Sequence, residues 1–120
     1  MQSDFRVHVR TDGRAAIIAV SGELDLASAP ALESELEQAG RSESELLLLD
    51  LRELEFMDST GLSVIVKAHQ RLSEQGRSLY LIRGPQQVQR LLDLTGVAER
   101  LRLVNSPEEI LGESELLGGV

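Results

Sequence analysis

The feature with the clearest chemical potential is a serine between an acid and a second hydroxyl, Asp58-Ser59-Thr60. A serine becomes a nucleophile when a base such as histidine lies within hydrogen-bond reach, about 3 Å. His69 is ten residues further along the chain, which corresponds to about 15 Å if both residues lie on one helix. Met57 also stands where the Gly-x-Ser-x-Gly elbow of hydrolases needs a glycine. We therefore predict that the protein is not an enzyme and has no catalytic residue.

Patterns for metals, nucleotides and sugars are also missing. The 120 residues include no cysteine and only two histidines, which leaves carboxylates as the only other common metal ligands. Neither Gly-x-Gly-x-x-Gly nor Gly-x-x-x-x-Gly-Lys-Ser/Thr occurs. Aromatic residues make up 2% of the chain and tryptophan is absent, so stacking surfaces for bases or sugars are not expected. We predict no metal site and no cofactor.

The charge of the chain is acidic and unevenly distributed. The net charge is −8 and the sequence pI is about 4.7, which argues against nucleic acid as a partner. Residues 1–20 sum to +1, residues 21–58 to −9 and residues 59–120 to zero. Solvated loops and a solvated helix face would alone explain such a run. The acidic stretch nevertheless ends immediately before Ser59.

Length and hydropathy predict one domain in the cytoplasm. A chain of 120 residues is the usual size of a single domain and can bury a core without disulfides. No apolar run approaches the 18 or more residues that a membrane helix needs, and the first residues lack a basic and apolar signal region. The absence of cysteine is compatible with a reducing compartment.

Hydrophobic periodicity predicts an α/β order of elements. Alternation over residues 5–9, followed by Asp12-Gly13, predicts a hairpin with a second strand over residues 15–21. The four leucines at 46–49 predict a central strand that is covered on both faces. The other predicted elements are a helix with a Ser28 cap that ends at Gly40, a helix from Gly61 to Gly76, a strand over 78–82, a helix from Gly84-Pro85 to Gly96, a strand over 101–104, a short helix from the Ser106-Pro107-Glu108-Glu109 capping box, and a frayed end at Gly118-Gly119-Val120.

This order predicts an α/β fold with a mixed, mostly parallel sheet, an N-terminal antiparallel hairpin and about four helices. In such sheets, ligands bind beyond the carboxyl ends of the strands, where helices begin. The turn that we predict between residues 49 and 59 lies there, so Ser59 has two compatible roles. Asp58-Ser59-Thr60 can cap the helix, and Ser59 can accept a phosphate, whose charge of about −1.5 to −2 would oppose a docked partner.

Two segments carry a resemblance to a known family. The stretch 50–62, DLRELEFMDSTGL, resembles the strand, acidic loop and Asp-Ser-Ser/Thr-Gly-Leu signature of the STAS domain, the family named for sulfate transporters and anti-sigma factor antagonists. Gly22-Glu23-Leu24-Asp25 and the following helix start resemble its second motif. The resemblance covers residues 5–109 of a domain spanning 1–120, and residues 110–120 form a C-terminal extension.

The resemblance implies an anti-sigma factor antagonist. In free-standing members, the serine that corresponds to Ser59 is phosphorylated by an anti-sigma factor that is also a serine kinase. The unphosphorylated antagonist binds this partner and frees the sigma factor, and a PP2C-type serine phosphatase resets the phosphorylated form. Thr60 offers a second, less favoured hydroxyl. The implied partner-binding residues are Gly22, Glu23, Asp25, Asp58, Ser59, Thr60 and Gly61.

Roles for single residues also follow from the resemblance. Asp58 would shape the loop and present Ser59, and Gly61 would be small enough to let the partner's backbone approach. An alternative within the same family is an assembly subunit of a membrane lipid-transport ATPase or of an anion transporter. Neither role includes catalysis or direct membrane insertion.

Overall fold

A five-stranded sheet with its three longer helices on one face forms the body of the protein in a computed structural model, which describes residues 4–111. The first strand pairs antiparallel with the second, and every later pair of neighbours is parallel. The strands lie in chain order: β1 (Arg6–Asp12), β2 (Ala15–Leu24), β3 (Leu46–Met57), β4 (Ser78–Ile82) and β5 (Arg102–Val104). This arrangement confirms the predicted fold class.

The helices provide the crossovers between the parallel strands, which cannot be joined by tight turns. They are α1 (Ala29–Arg41), α2 (Ser59–Glu74) and α3 (Gln86–Leu94), with a 3₁₀ turn at Val97–Glu99. A fourth helix, α4, covers residues 108–111 and reaches the end of the described region. Glu109 accepts hydrogen bonds from the backbone N–H groups of Asn105 and Ser106, and the bond from Ser106 is the glutamate half of the predicted capping box. The predicted frayed end at Gly118-Gly119-Val120 lies outside the described residues.

The two faces of the sheet are covered differently. One face packs against α1, α2 and α3 through the larger apolar cluster, which includes Leu32, Leu49 and Ile65, each fully buried. The other face carries a smaller cluster that includes Ile17, Leu48 and Ile82. Ile110 and Leu111 pack against this second cluster. The described part of the C-terminal extension therefore has a structural role that the sequence had left unassigned.

The main difference from expectation is the length of β3. The predicted strand covered residues 46–49 and was followed by a loop, but the observed strand continues to Met57. Its register against β2 shifts twice, since Ala19 pairs with Asp50 but Ser21 with Glu53, and Glu23 then pairs with Phe56. Each shift adds one residue to β3 and forms a bulge.

These bulges explain why the strand pattern was hidden. Leu51, Leu54 and Met57 are buried at a spacing of three, while the residues between them are exposed. A regular strand places alternate residues on one face, so a spacing of three reads as loop or helix. An extra residue at each bulge turns the next apolar side chain back toward the core. The position of a bulge depends on pairing with the neighbouring strand and is not encoded in the local pattern.

No helix within residues 4–111 is long and apolar enough to cross a membrane. The same part of the chain holds no group of three or more His, Cys, Asp or Glu side chains suited to a metal ion.

Candidate functional site

Asp58 makes the junction between β3 and α2. Its backbone N–H donates to the carbonyl of Leu24 at 3.1 Å, which ties the start of the helix to the end of β2. Its Oδ1 accepts the N–H groups of Thr60 at 2.9 Å and Gly61 at 3.1 Å. Asp58 is therefore the N-cap of α2, and it satisfies two donors that a helix start leaves free.

Ser59 is the first residue of α2, and it is exposed. Thr60 is half-buried and Gly61 is buried. The positive end of the helix macrodipole lies at this position, but the Asp58 carboxylate already occupies it. The capping role and an accessible hydroxyl therefore coexist, as the sequence suggested, on neighbouring residues.

The loop between β2 and α1 is closed by its own hydrogen bonds. The Ser28 hydroxyl donates to the Glu23 carbonyl at 2.7 Å and accepts the Asp25 N–H at 2.9 Å. Asp25 Oδ1 accepts the N–H groups of Ala27 at 3.0 Å and Ser28 at 3.1 Å. Ser28 stands at the N-cap position as predicted, but its hydroxyl caps no helix N–H. Instead, the hydroxyl bonds back into the loop and makes it rigid.

The two predicted site glycines shape this region from inside the chain. A Cβ on Gly61 would lie 2.5 Å from Leu24 Cγ, so Leu24 fills the space beside Gly61. Packing against Leu24 therefore accounts for the small size of Gly61, and its contact with a partner's backbone stays a prediction. Gly22 has φ +89°, and a Cβ there would lie 2.7 Å from the Asp4 carbonyl oxygen. Glycine is favoured at both positions, because a Cβ at either one would lie within 3 Å of neighbouring atoms.

All seven predicted site residues meet where β2 and β3 end and α1 and α2 begin, a region that we call the carboxyl edge. Glu23 and Ser59 are exposed, while Asp25, Asp58 and Thr60 are half-buried. Two exposed apolar side chains of the same region, Leu26 and Phe56, were missed. The signal that could have found them is a large apolar residue next to acidic residues beside each motif, Leu26 after Asp25 and Phe56 after Glu55.

The acidic stretch does not surround Ser59 as a whole. Five of its carboxylates lie in the segments that form the carboxyl edge: Glu23, Asp25, Glu53, Glu55 and Asp58. Others lie along α1 or in the loop that follows it. In that loop Glu45 forms an exposed ion pair with Arg14 at 3.1 Å. The charge near the candidate site is therefore smaller than the sum over residues 21–58, and its sign is unchanged.

The histidines lie away from Ser59. His69 is ten positions further along α2, which is about 15 Å from Ser59. Burial, together with the nearby charges of Arg102 and Arg100, lowers the pKa of His69 below its usual value. His8 pairs with Ala19 on β2, five residues before Leu24, which is about 17 Å along the strand. Both distances exceed the reach of a general base.

Asp50 forms a further polar pair on the sheet, at the carboxyl end of the regular part of β3. Arg52 donates to its two carboxylate oxygens at 3.0 Å and 2.8 Å, and the Arg52 backbone N–H donates at 3.0 Å. Burial opposes ionisation of Asp50, but the hydrogen bonds and charge of Arg52, with a contribution from Arg10, outweigh it and lower the pKa of Asp50. This pair locks the first bulge, which begins at Asp50.

Comparison with known proteins identifies the family. The family model described as the STAS domain matches residues 6–110. The chain belongs to the STAS domain family. The match includes both motifs of the carboxyl edge, the Gly22 to Asp25 segment and the Asp58 to Gly61 segment.

This STAS domain resembles named relatives over most of its length. It is 34% identical over 97 residues to the anti-sigma-B factor antagonist of Listeria monocytogenes, a stretch that covers 81% of this chain and 85% of the relative. Among solved structures, an anti-sigma factor antagonist from Mycobacterium paratuberculosis superposes with a TM-score of 0.84 at 24% identity, covering 92% of this chain and 93% of that chain.

The fold is also shared with the anti-sigma factor antagonist SpoIIAA, which has been solved in two states. The unphosphorylated form superposes with a TM-score of 0.76 at 17% identity, covering 96% of this chain and 98% of that chain. The phosphorylated form from Bacillus superposes with a TM-score of 0.68 at 16% identity, covering 92% and 98% of the two chains. At these identities the superpositions establish the fold of the STAS domain.

Proposed function

We propose that this STAS domain protein is an anti-sigma factor antagonist that is switched by phosphorylation of Ser59. In the unphosphorylated state it binds an anti-sigma factor with serine kinase activity, and the sigma factor is released. Phosphorylation of Ser59 ends the binding, and a PP2C-type serine phosphatase restores it. The observation that carries this proposal is the exposed Ser59 hydroxyl at the first position of α2, next to the Asp58 cap.

Named relatives support the antagonist role. The Listeria monocytogenes relative is named as an anti-sigma-B factor antagonist, and the structural neighbour SpoIIAA is known in unphosphorylated and phosphorylated forms. The acidic carboxyl edge and the low sequence pI of about 4.7 favour a protein partner with a basic surface.

The hydrogen bonds of Asp58 favour a phosphate that acts through its charge. Asp58 Oδ1 already accepts the N–H groups of Thr60 and Gly61, so these donors are not free to hold a phosphate on Ser59. The Asp58 carboxylate also repels a second anion. The phosphate therefore remains directed toward solvent, where it would meet the docked partner. Desolvation of this charge at the centre of the interface, where no cation is placed to neutralise it, costs several kcal/mol.

Thr60 is the less favoured site for a structural reason. Its side chain is half-buried, and its N–H is already bonded to the Asp58 carboxylate. A kinase must bring its substrate hydroxyl into line with the γ-phosphate of ATP, which requires an accessible oxygen. Ser59 meets this requirement without any change in the helix.

Phosphorylation can be tested directly. Each protein of the source organism that combines anti-sigma activity with a serine-kinase domain is purified and incubated with ATP and this protein, and the modified residue is mapped by mass spectrometry. We expect one phosphate on Ser59, none on the Ser59→Ala protein, and normal modification of the matched control Thr60→Ala. Full modification of Ser59→Ala would refute the assignment.

The switch is tested by binding. We expect phosphorylation or Ser59→Asp to weaken binding to the same partner by about a hundredfold or more, equivalent to about 2.7 kcal/mol. Treatment of the phosphorylated protein with a PP2C-type phosphatase should restore the affinity. Equal binding of the two forms would contradict the switch. Equal binding together with stable association with a lipid-transport ATPase or an anion transporter would instead favour the assembly role.

A further inference from the structure

Four large apolar side chains stand out as exposed among the described residues: Val9, Leu26, Phe56 and Leu94. Two of them, Leu26 and Phe56, belong to the carboxyl edge, and their exposed fractions are 73% and 47%. Exposed apolar residues scattered singly need no explanation. Two exposed apolar residues on the loop and strand next to Ser59 need an explanation, because the other exposed side chains of these segments are mostly acidic.

The loop holds Leu26 in an outward position. Asp25 and Ser28 close the loop on either side of Leu26 through side-chain and backbone hydrogen bonds of 2.7 to 3.1 Å. Ser28, at 7% exposure, is buried, so the loop is anchored to the body of the protein. A side chain that is presented by a rigid loop loses little conformational entropy when it binds, which favours affinity.

Phe56 owes its exposure to the second bulge of β3. Gly22 pairs with Leu54 and Glu23 with Phe56, so the bulge places both Glu55 and Phe56 among the exposed residues. The side-chain amide of Gln87, at the start of α3, donates to the Glu55 carbonyl and holds the bulge in place. Bulges commonly redirect a side chain next to a functional site.

Leu26, Phe56 and Ser59 are joined through Leu24. The Leu24 carbonyl accepts the N–H of Asp58, and Leu24 pairs with Met57 in the sheet register. The buried Leu24 side chain fills the space beside Gly61. The backbone segments that carry these three exposed residues are therefore joined by hydrogen bonds, strand pairing and packing.

The surroundings of these side chains define the complementary surface. Glu23, Asp25, Glu53 and Glu55 lie in the same segments as the two apolar residues. Stable interfaces place a few apolar anchors in a desolvated centre and surround them with a polar rim. An apolar pair with acidic neighbours fits a partner that offers an apolar recess with a basic rim.

We propose that Leu26 and Phe56 are the apolar anchors with which the unphosphorylated protein docks on its anti-sigma factor. This inference rests on the function proposed above. The anchors supply affinity from the segments next to Ser59, and a phosphate on Ser59 would place its charge near the desolvated centre of the interface. The same change on an exposed rim would have a smaller effect.

The chain offers a matched control for the test. Leu94, at the end of α3, is the same residue type as Leu26 and is 78% exposed. The partner that phosphorylates Ser59 is purified, and its affinity for Leu26→Ala, Phe56→Ala and Leu94→Ala is measured by isothermal titration calorimetry. We expect about tenfold or greater weakening for each anchor variant and a change within about twofold for Leu94→Ala. Leu26→Ala and Leu94→Ala should unfold at the temperature of the parent, and Phe56→Ala, whose side chain is 47% exposed, should unfold at a somewhat lower temperature and stay folded at the temperature of the titration.

The outcomes separate this inference from the proposed function. If none of the purified anti-sigma kinases binds or phosphorylates the parent protein, the proposed function is wrong. The anchor assignment, which depends on that function, is then wrong as well. If the parent binds and Ser59 is phosphorylated, but the two anchor variants bind as tightly as Leu94→Ala, only the anchor assignment is overturned. Weakening confined to the anchor variants supports it.

Discussion

Side-chain hydrogen bonds to backbone groups close both the carboxyl edge and the opposite corner of the protein, where α1 and α2 end. The two regions differ in which side chains remain exposed. At the corner, the Arg77 guanidinium donates to the carbonyls of Ala39, Gly40 and Ser44, with Nε to Ser44 at 2.9 Å, and to Gln75 Oε1 at 3.3 Å. One cation thereby joins the end of α1, the loop after it and the end of α2.

The carboxyl edge is closed instead by Asp25, Ser28 and Asp58, whose short side chains bond neighbouring backbone groups. These bonds use none of the side chains of Leu26, Phe56 and Ser59, which are exposed in the same region. At the corner, most donors of the closing residue bind the protein itself. The comparison indicates that the corner serves stability, whereas the carboxyl edge combines a rigid frame with free side chains.

The largest expected effect on stability is at the corner. Arg77→Ala removes the charged donor of several carbonyls and should lower the free energy of unfolding by about 3 kcal/mol, measured by urea denaturation. Arg77→Lys keeps the charge but loses the planar guanidinium group. Its free energy of unfolding should lie between those of the parent and Arg77→Ala. The NMR amide shifts of residues 58–61 should not change in either variant. A shift there would show that the two ends are coupled.

At the carboxyl edge, Gly61→Ala should lower the free energy of unfolding by less than Arg77→Ala does. The new Cβ would lie 2.5 Å from Leu24 Cγ, and overpacking of this kind costs about 1–3 kcal/mol. The amide shifts of residues 58–61 should change as well, because Leu24 supports the helix start. Gly40→Ala is the matched control, since a Cβ there meets nothing within 4 Å. An equal loss in both variants would contradict the packing role of Gly61.

Removal of the cap should have a moderate effect. Asp58→Ala leaves the N–H groups of Thr60 and Gly61 without their acceptor and should cost about 1 kcal/mol. Asp58→Asn keeps an acceptor and should restore most of the loss, which thermal unfolding can measure. If the asparagine variant is as unstable as the alanine variant, the contribution of Asp58 comes from its charge at the helix end.

The smallest effect concerns the pH dependence of the Asp50 pair. Because the pKa of Asp50 is lowered in the folded protein, its ionised form adds stability above the usual value of 3.8, and this contribution is lost as the pH falls through the folded pKa. Near neutral pH, Asp50→Asn should be less stable by about 1 kcal/mol or less, since Arg52 is partly solvated.

Unfolding measured at acidic pH tests the sign of this pH dependence. The difference between Asp50→Asn and the parent should narrow as the pH falls below 3.8 in urea unfolding curves. Glu45→Gln is the control, because the Arg14–Glu45 pair is 77% and 67% exposed and should contribute little at any pH. A constant difference for Asp50→Asn would show that packing, and not charge, explains its effect.

Much of the fold could be predicted from local pattern. The local pattern predicts one structure at each of three places. Alternation predicts the strand β1, Asp12-Gly13 predicts a hairpin turn, and the spacing after Ser59 predicts a helix. The strand β3 could not be predicted beyond residue 49, because its later residues alternate only after each bulge is counted. Where a bulge lies depends on the partner strand β2, which is more than twenty residues away in sequence.

The sequence by itself determined the order of the elements, the capping acid Asp58 and the hydroxyl of Ser59, because caps and periodicity act within a few residues. Only the tertiary structure decided that Leu24 fills the space beside Gly61 and that Leu26 and Phe56 face solvent near the site. These features arise from strand register and side-chain packing between distant segments, which no local pattern encodes.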